Sequence, residues 1–305
     1  LFREIEEGNS TFYNPMIRIL FFISFLLCSC FGKSPSEKNP WKIYYDSIAS
    51  IAKADSIAKA DSIKTGRLNS PPPIISQKEI NPNDFPLFTS YPEIIKEGKS
   101  VKDFIPENWI IRDSVSGNLN GDAFVDYAVI FQYKDSVRIV DSSDYYHDTL
   151  LTQPRMMIVL LKDDANTKFV LSEENDVFIP NHDRWNMEDP LQGMSIKKKV
   201  LEIDIQFFCN AGSYGVQNYE YKFRYDGDEF DLIGADYMSF SRNLGDSDDE
   251  SFNFLTDKME ITIGNDFDST IKPKTEWRKI NMNEKRTFEE MVKPGTWEVM
   301  KDKYL

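Results

Sequence analysis

Strict alternation of apolar and polar residues dominates the second half of the chain. In 200–207, Leu201, Ile203, Ile205 and Phe207 fall on one side, and Glu202, Asp204 and Gln206 on the other. Tyr219 to Tyr225 repeats this, with Tyr219, Tyr221, Phe223 and Tyr225 opposed to Glu220, Lys222 and Arg224. Successive side chains of a strand point to opposite faces, so both stretches predict half-buried strands. Asp226-Gly227 supplies the left-handed position of a tight turn, and Phe230 to Ile233 the returning strand. Phe252 to Leu255 and Met259 to Ile263 predict another pair around Thr256-Asp257-Lys258. Phe124 to Tyr133 predicts a strand, and the apolar run Met156 to Leu161 within Arg155 to Lys162 predicts a buried central one. Tyr91 to Val101 predicts a helical turn around Glu93 to Glu97, stopped by Gly98. Near the end, Thr287 and Glu290 have capping-box spacing and Pro294-Gly295 is a stop, which predicts a short helix. One wet face per strand means antiparallel pairing. The expected fold is therefore mainly β, an antiparallel meander or sandwich-like single domain over 85–305 with a short C-terminal helix.

The first part of the chain has a different pattern. Arg18 precedes an apolar run, Ile19 to Leu27, broken only by Ser24 and ended by Leu27-Cys28-Ser29-Cys30. A spanning helix needs about 20 apolar residues, so the run has the length of a signal-peptide core instead. Its ending resembles a bacterial lipobox: Leu27 stands three before Cys30 and Ser29 just before it. That resemblance implies a signal peptide over 16–29, cleavage before Cys30, and acylation of Cys30. Several acyl chains at about 0.8 kcal/mol per buried CH₂ make a stable membrane anchor. Residues 1–15 carry three Glu ahead of this signal, an arrangement foreign to export signals, and are expected to be a start assigned too early.

Residues 30–84 read as a tether. Phe31 to Asn39 is polar, and from Asp46 the chain repeats DSIASIAK, ADSIAK, ADSIK, without Gly or Pro from Trp41 to Thr65. This predicts a helix. A six-residue period advances the Ile positions by about 600° and builds no apolar stripe, so the helix is expected to be a solvated spacer rather than a coiled coil. Gly66 and Pro71-Pro72-Pro73 return the chain to extended form.

Composition narrows the function. The formal net charge is −14, and 1–29 holds two basic and three acidic residues, which leaves −13 on the remainder. Nucleic acids and anionic membrane surfaces demand a basic footprint, so neither is an expected partner. With Cys28 in the signal and Cys30 acylated, Cys209 is the one thiol left, and no intramolecular disulfide can form. Cys209 follows Phe207-Phe208 and is expected to be a buried small hydrophobe.

One motif carries candidate chemistry. Asn118, Asn120, Asp122 and Asp126 place oxygen side chains at positions 1, 3, 5 and 9 of a turning loop that starts at Asn118, within SGNLNGDAFVDYAVI. Short amide and carboxylate arms at this spacing can wrap a Ca²⁺ ion. The stretch resembles the DxNxDGxxD loop of FG-GAP and VCBS-type repeats. Together with Phe104-Ile105-Pro106, Trp109, FRYDGDEFDLIGAD and SFNFLTDK, it is similar to uncharacterised bacterial lipoproteins carrying one such loop. The resemblance covers about 100–265 and implies a fold and an envelope location, without an agreed activity. Asn118 stands where the pattern has Asp, and Ala123 where it has Gly. With two carboxylates left, calcium affinity is expected to be weak at best. The alternative is a loop whose side chains cap their own backbone. One copy and no repeat period argue against a propeller.

The remaining candidates read as structural. His147-Asp148 and His182-Asp183 fit no metal-ligand spacing, Asn210 to Gly215 reads as a hairpin connection, and Asp246 to Glu250 as a solvated acidic loop. Trp109, Trp185, Trp277 and Trp297 could stack on sugars, but single Trp residues in β domains usually lie in the core. Two function classes follow. The first is a non-enzymatic, lipid-anchored envelope protein, outer-membrane bound and facing the periplasm, with a protein or glycan partner. The second is an envelope glycan hydrolase using paired carboxylates such as Asp122, Asp126 or those of 246–250.

Overall fold

The computed structural model describes residues 81–140, 149–162, 167–184, 186–280 and 285–305. The chain divides into two compact units, Leu1–Ser70 and Pro71–Leu305. The expected signal peptide, Cys30 and the repeats for which a helix is expected lie outside the described residues.

The second unit is built from antiparallel strands. β1 (Glu97–Gly98), β2 (Trp109–Gly117), β3 (Asp126–Tyr133), β6 (Arg155–Lys162) and β7 (Phe169–Asn175) form a five-stranded sheet in the order β1-β7-β6-β3-β2. β4 (Val137–Val140) and β5 (Thr149–Thr152) make a separate ribbon between β3 and β6. β8 (Leu191–Lys197), β9 (Val200–Phe208), β10 (Gly215–Tyr225), β11 (Phe230–Ser241), β12 (Asp246–Asn253), β13 (Lys258–Asn265) and β14 (Lys274–Lys279) form a seven-stranded meander in chain order. β15 (Glu298–Met300) and β16 (Lys303–Tyr304) pair near the end. All pairings between these strands are antiparallel.

Three layers follow from where the apolar side chains go. β3 and β6 are apolar on both faces. Ala128, Ile130, Met157 and Val159 pack on the seven-stranded sheet, among Leu201, Ile203, Ile205, Tyr221 and Phe223. Val129, Phe131, Met156, Ile158 and Leu160 point the other way, onto Ile94, Phe104 and Trp109 of the N-terminal segment. Each such buried side chain contributes about 1.5–3 kcal/mol of transfer free energy. Where the two sheets meet along β2 and β8, a Cβ on Gly117 would lie 2.7 Å from Ile196 Cγ2, so only glycine allows that approach.

The expected β-rich antiparallel fold is thus observed, and two local expectations are corrected. The segment around Glu93 to Glu97 has no helical turn; the chain makes the short strand β1 and a 3₁₀ turn at Val101–Phe104. The C-terminal helix is also absent. The Thr287 N–H does donate to Glu290 Oε2 (3.2 Å), but the segment continues as turns. Phe288 is fully buried and its N–H donates to the Phe230 carbonyl (2.8 Å), while Asn175 Nδ2 donates to the carbonyls of Phe288, Glu289 and Met291. Tertiary partners take the groups a helix would have used.

Candidate functional site

The 118–126 loop joins β2 to β3 and is closed on its own backbone. Asn118 Oδ1 accepts from the Gly121 N–H (2.6 Å), and Asn118 Nδ2 donates to the Asp122 carbonyl. Asn120 Oδ1 accepts from Asp122 N–H (3.0 Å), and Asp122 Oδ1 from Phe124 N–H (2.7 Å). Asp122 Oδ2 accepts from Asn120 Nδ2 (2.9 Å). Asp126 is fully buried, with Oδ2 accepting from Leu119 (2.7 Å) and Asn120 (3.4 Å) and Oδ1 from Lys162 (2.9 Å). This carboxylate ties the loop to the end of β6. The left-handed residue is Gly121, at φ 91°, and Ala123 has no positive φ, which explains why Ala is tolerated there. A Cβ on Gly121 would run into the Lys199 ammonium, so a cation already stands against the middle of the loop.

Other sequence candidates scatter. His147-Asp148 and Trp185 lie outside the described residues. A ring nitrogen of His182 lies 2.7 Å from the Met187 carbonyl. Trp109 is buried, Trp297 half-buried, and Trp277 is exposed on β14, against the expectation of a core position. Cys209 is half-buried and free, rather than fully enclosed. Among the described residues no three His, Cys, Asp or Glu side chains gather as a metal site.

The acidic run 246–250 is not a loop. It forms most of β12, and the period of two sends Asp246, Asp248 and Glu250 to the inner face of the seven-stranded sheet. Register shows how that face changes along the strands. One row joins Ile203, Tyr221, Ala235, Phe252 and Met259, all buried. The next joins Ile205, Tyr219, Tyr237, Glu250 and Ile261. Glu250 is 4% exposed and pairs with Lys303; burial raises its carboxyl despite that ammonium. The third row is Phe207, Gln217, Ser239, Asp248 and Ile263, polar at its centre.

Above that third row lies a cleft of about 830 Å³ between the end of the sheet and the Asp176 to Met187 segment. Its size is that of small-ligand and peptide-anchoring clefts. Both walls are held by arginines. Arg155, 2% exposed, donates to the Pro180 carbonyl (3.1 Å) and makes two 2.7 Å bonds to Asp189, and its own N–H reaches Asn181. Burial pushes the Asp189 carboxyl up, but Arg155 and then Arg112 outweigh it and hold the group well below the carboxylate range. Arg242 stacks on Phe208 and donates to the carbonyls of Cys209 (2.8 Å) and Ser213 (2.6 Å), fixing the β9–β10 connection. Asp176, Asp183, Asp246 and Asp248 line the cleft against Arg184 and Lys293. Burial raises the Asp183 carboxyl against the pull of Lys293 and Arg184. Asp248 Oδ1 is shielded from solvent and accepts no hydrogen bond among the described residues.

No family model, curated protein or solved structure matches the chain. What the geometry defines is a class, an antiparallel two-sheet domain with an acidic cleft at the loop end of its larger sheet.

Proposed function

We propose that the chain is a non-enzymatic, lipid-anchored binding domain of a bacterial cell envelope, attached through Cys30 at the outer membrane and facing the periplasm. The observation that carries the binding role is the cleft: arginine-pinned walls, a graded floor, and a carboxylate oxygen left without a partner. The lipobox-like ending LCSC and the tether after it support the anchor. The 118–126 side-chain oxygens already accept backbone N–H groups of the loop and of Lys162, which supports a structural rather than a calcium-binding role. Asp126, buried and bonded to three N–H groups, is a poor acid or base. Labelled palmitate should enter the native protein and be lost in Cys30→Ala, with loss of detergent partitioning; labelling that persists in the variant removes the anchor.

A glycan hydrolase remains the second reading because the cleft holds Asp183, raised by burial, together with Asp246 and Asp248. A carboxyl raised by burial beside a second carboxylate is the kind of pair glycosidases use. The two readings separate on reducing-end release from cell-wall glycan. Turnover abolished by Asp183→Asn establishes the hydrolase, and none is expected.

A further inference from the structure

We infer that the cleft receives a basic side chain, a lysine ammonium or arginine guanidinium, presented by an extended partner peptide whose apolar residues cover the neighbouring loop tips. This rests on reading the cleft as the binding site.

Charge comes first. Four carboxylates line the cleft against two cations, in a chain that is itself strongly acidic, so the cleft attracts positive charge and opposes an anion. Arg184 and Lys293 are both exposed and both act on Asp183. Asp248 lies elsewhere, on the floor, between Ser239 and Ile263 of the adjacent strands. Its Oδ1 is withdrawn from water without a donor, an arrangement that costs about 1–3 kcal/mol until a donor arrives. An ammonium or guanidinium supplies both the donor and the charge.

The loop tips argue for a peptide rather than a free amine. The connections β9–β10, β11–β12 and β13–β14 all fall at the cleft end of the meander. They expose Tyr214 (66%), Leu244 (61%) and Phe267 (62%), and Ile263 on the floor row is 56% exposed. Large apolar side chains exposed together at one end of a sheet mark an interaction surface. A small amine would leave them in water, whereas a basic residue with apolar neighbours would cover them.

The test uses the full chain in detergent micelles and a fluorescent acetyl-Leu-Lys-Leu-Arg-Leu-amide probe, followed by anisotropy. Binding should weaken with salt, and replacing the Lys and Arg by norleucine and citrulline should weaken it about tenfold or more. Asp248→Asn should weaken it to a similar degree, while Glu260→Gln on the opposite face should not. Urea midpoints confirm that each variant is folded, and the peptide-side substitutions test the charge without altering the protein. If the neutral peptide binds as well as the basic one and Ser239→Trp, which fills the cleft, abolishes both, the cleft binds but its cationic preference is wrong. If the basic peptide does not bind, or Ser239→Trp leaves its binding unchanged, the cleft itself is not the site. Spermidine binding as tightly as the peptide overturns the peptide occupant.

Discussion

The β2–β3 loop and the cleft both gather Asp and polar side chains, and they use them in opposite ways. In the loop, Asn118, Asn120, Asp122 and Asp126 accept from backbone N–H groups of the loop itself and of Lys162. In the cleft, Asp248 Oδ1 is shielded from solvent with no donor, and Asp183 balances burial against two cations. The same residue types therefore stabilise the fold in one place and leave unsatisfied capacity in the other. Satisfaction, more than residue identity, separates a structural carboxylate from one available to a ligand.

That contrast can be broken by mutation. Asp126→Ala should cost about 3–5 kcal/mol in urea unfolding, because three N–H groups at a fully buried site lose their acceptor. A cost under about 1 kcal/mol would mean that the loop relaxes freely and was never self-satisfied.

The next effect is a pH dependence from a third kind of carboxylate, buried and held protonated. Glu173 on β7 is 3% exposed and accepts from the Phe230 N–H (3.2 Å). Burial, and then the charge of Glu289, push it from 4.5 up to about 7. Between those values the folded state holds a proton that the unfolded chain has released. Its contribution is therefore full below about 4.5 and is lost as pH rises through about 7, on the order of 2–3 kcal/mol. Glu173→Gln, which keeps the acceptor, should flatten this part of the stability–pH curve.

Asp248→Ala sharpens the other side of the comparison. Removing an oxygen withdrawn from water without a donor should stabilise the fold by about 1–3 kcal/mol in urea unfolding. The smallest effect concerns calcium. Because Asn118, Asn120, Asp122 and Asp126 are engaged by backbone, Ca²⁺ should raise Tm no more than Mg²⁺ does; a Ca²⁺-specific rise absent in Asp122→Ala would reverse that assignment.

Much of the fold was legible because period-two patterning is local. Strands 200–208 and 215–225, the turn at Asp226-Gly227 and the buried run in β6 all follow from neighbours in sequence. The acidic run 246–250 is a strand rather than the expected loop, since five polar residues in a row, Asp-Ser-Asp-Asp-Glu, carry no alternation to announce it. The Lys303 that makes a buried Glu250 tolerable lies 53 residues away. The C-terminal helix failed for the same kind of reason: Asn175 and Phe230 claim the backbone groups of 287–291 from a distance. The 118–126 loop was recognisable as a compact turn, although the carboxylate that fastens it also holds Lys162 of another strand. Nothing local announced the cleft. Its walls come from segments before β8, after β9 and within β10–β13, and meet only through register and two arginines.

The doubly buried strands β3 and β6 also govern the route by which this domain reaches its native state. Neither face of Val129–Phe131 or Met156–Leu160 is covered until two other layers arrive, one from the N-terminal segment and one from strands beyond residue 200. Such long-range closure is slow compared with local hairpin formation. In that interval MMIVLL is an uncharged, β-prone hexapeptide without Pro, the kind of segment that seeds intermolecular cross-β pairing. Arg155 and Lys162 flank it on both sides. They act as gatekeepers during folding, and once the sheets close Arg155 holds the cleft wall and the Lys162 backbone anchors the loop.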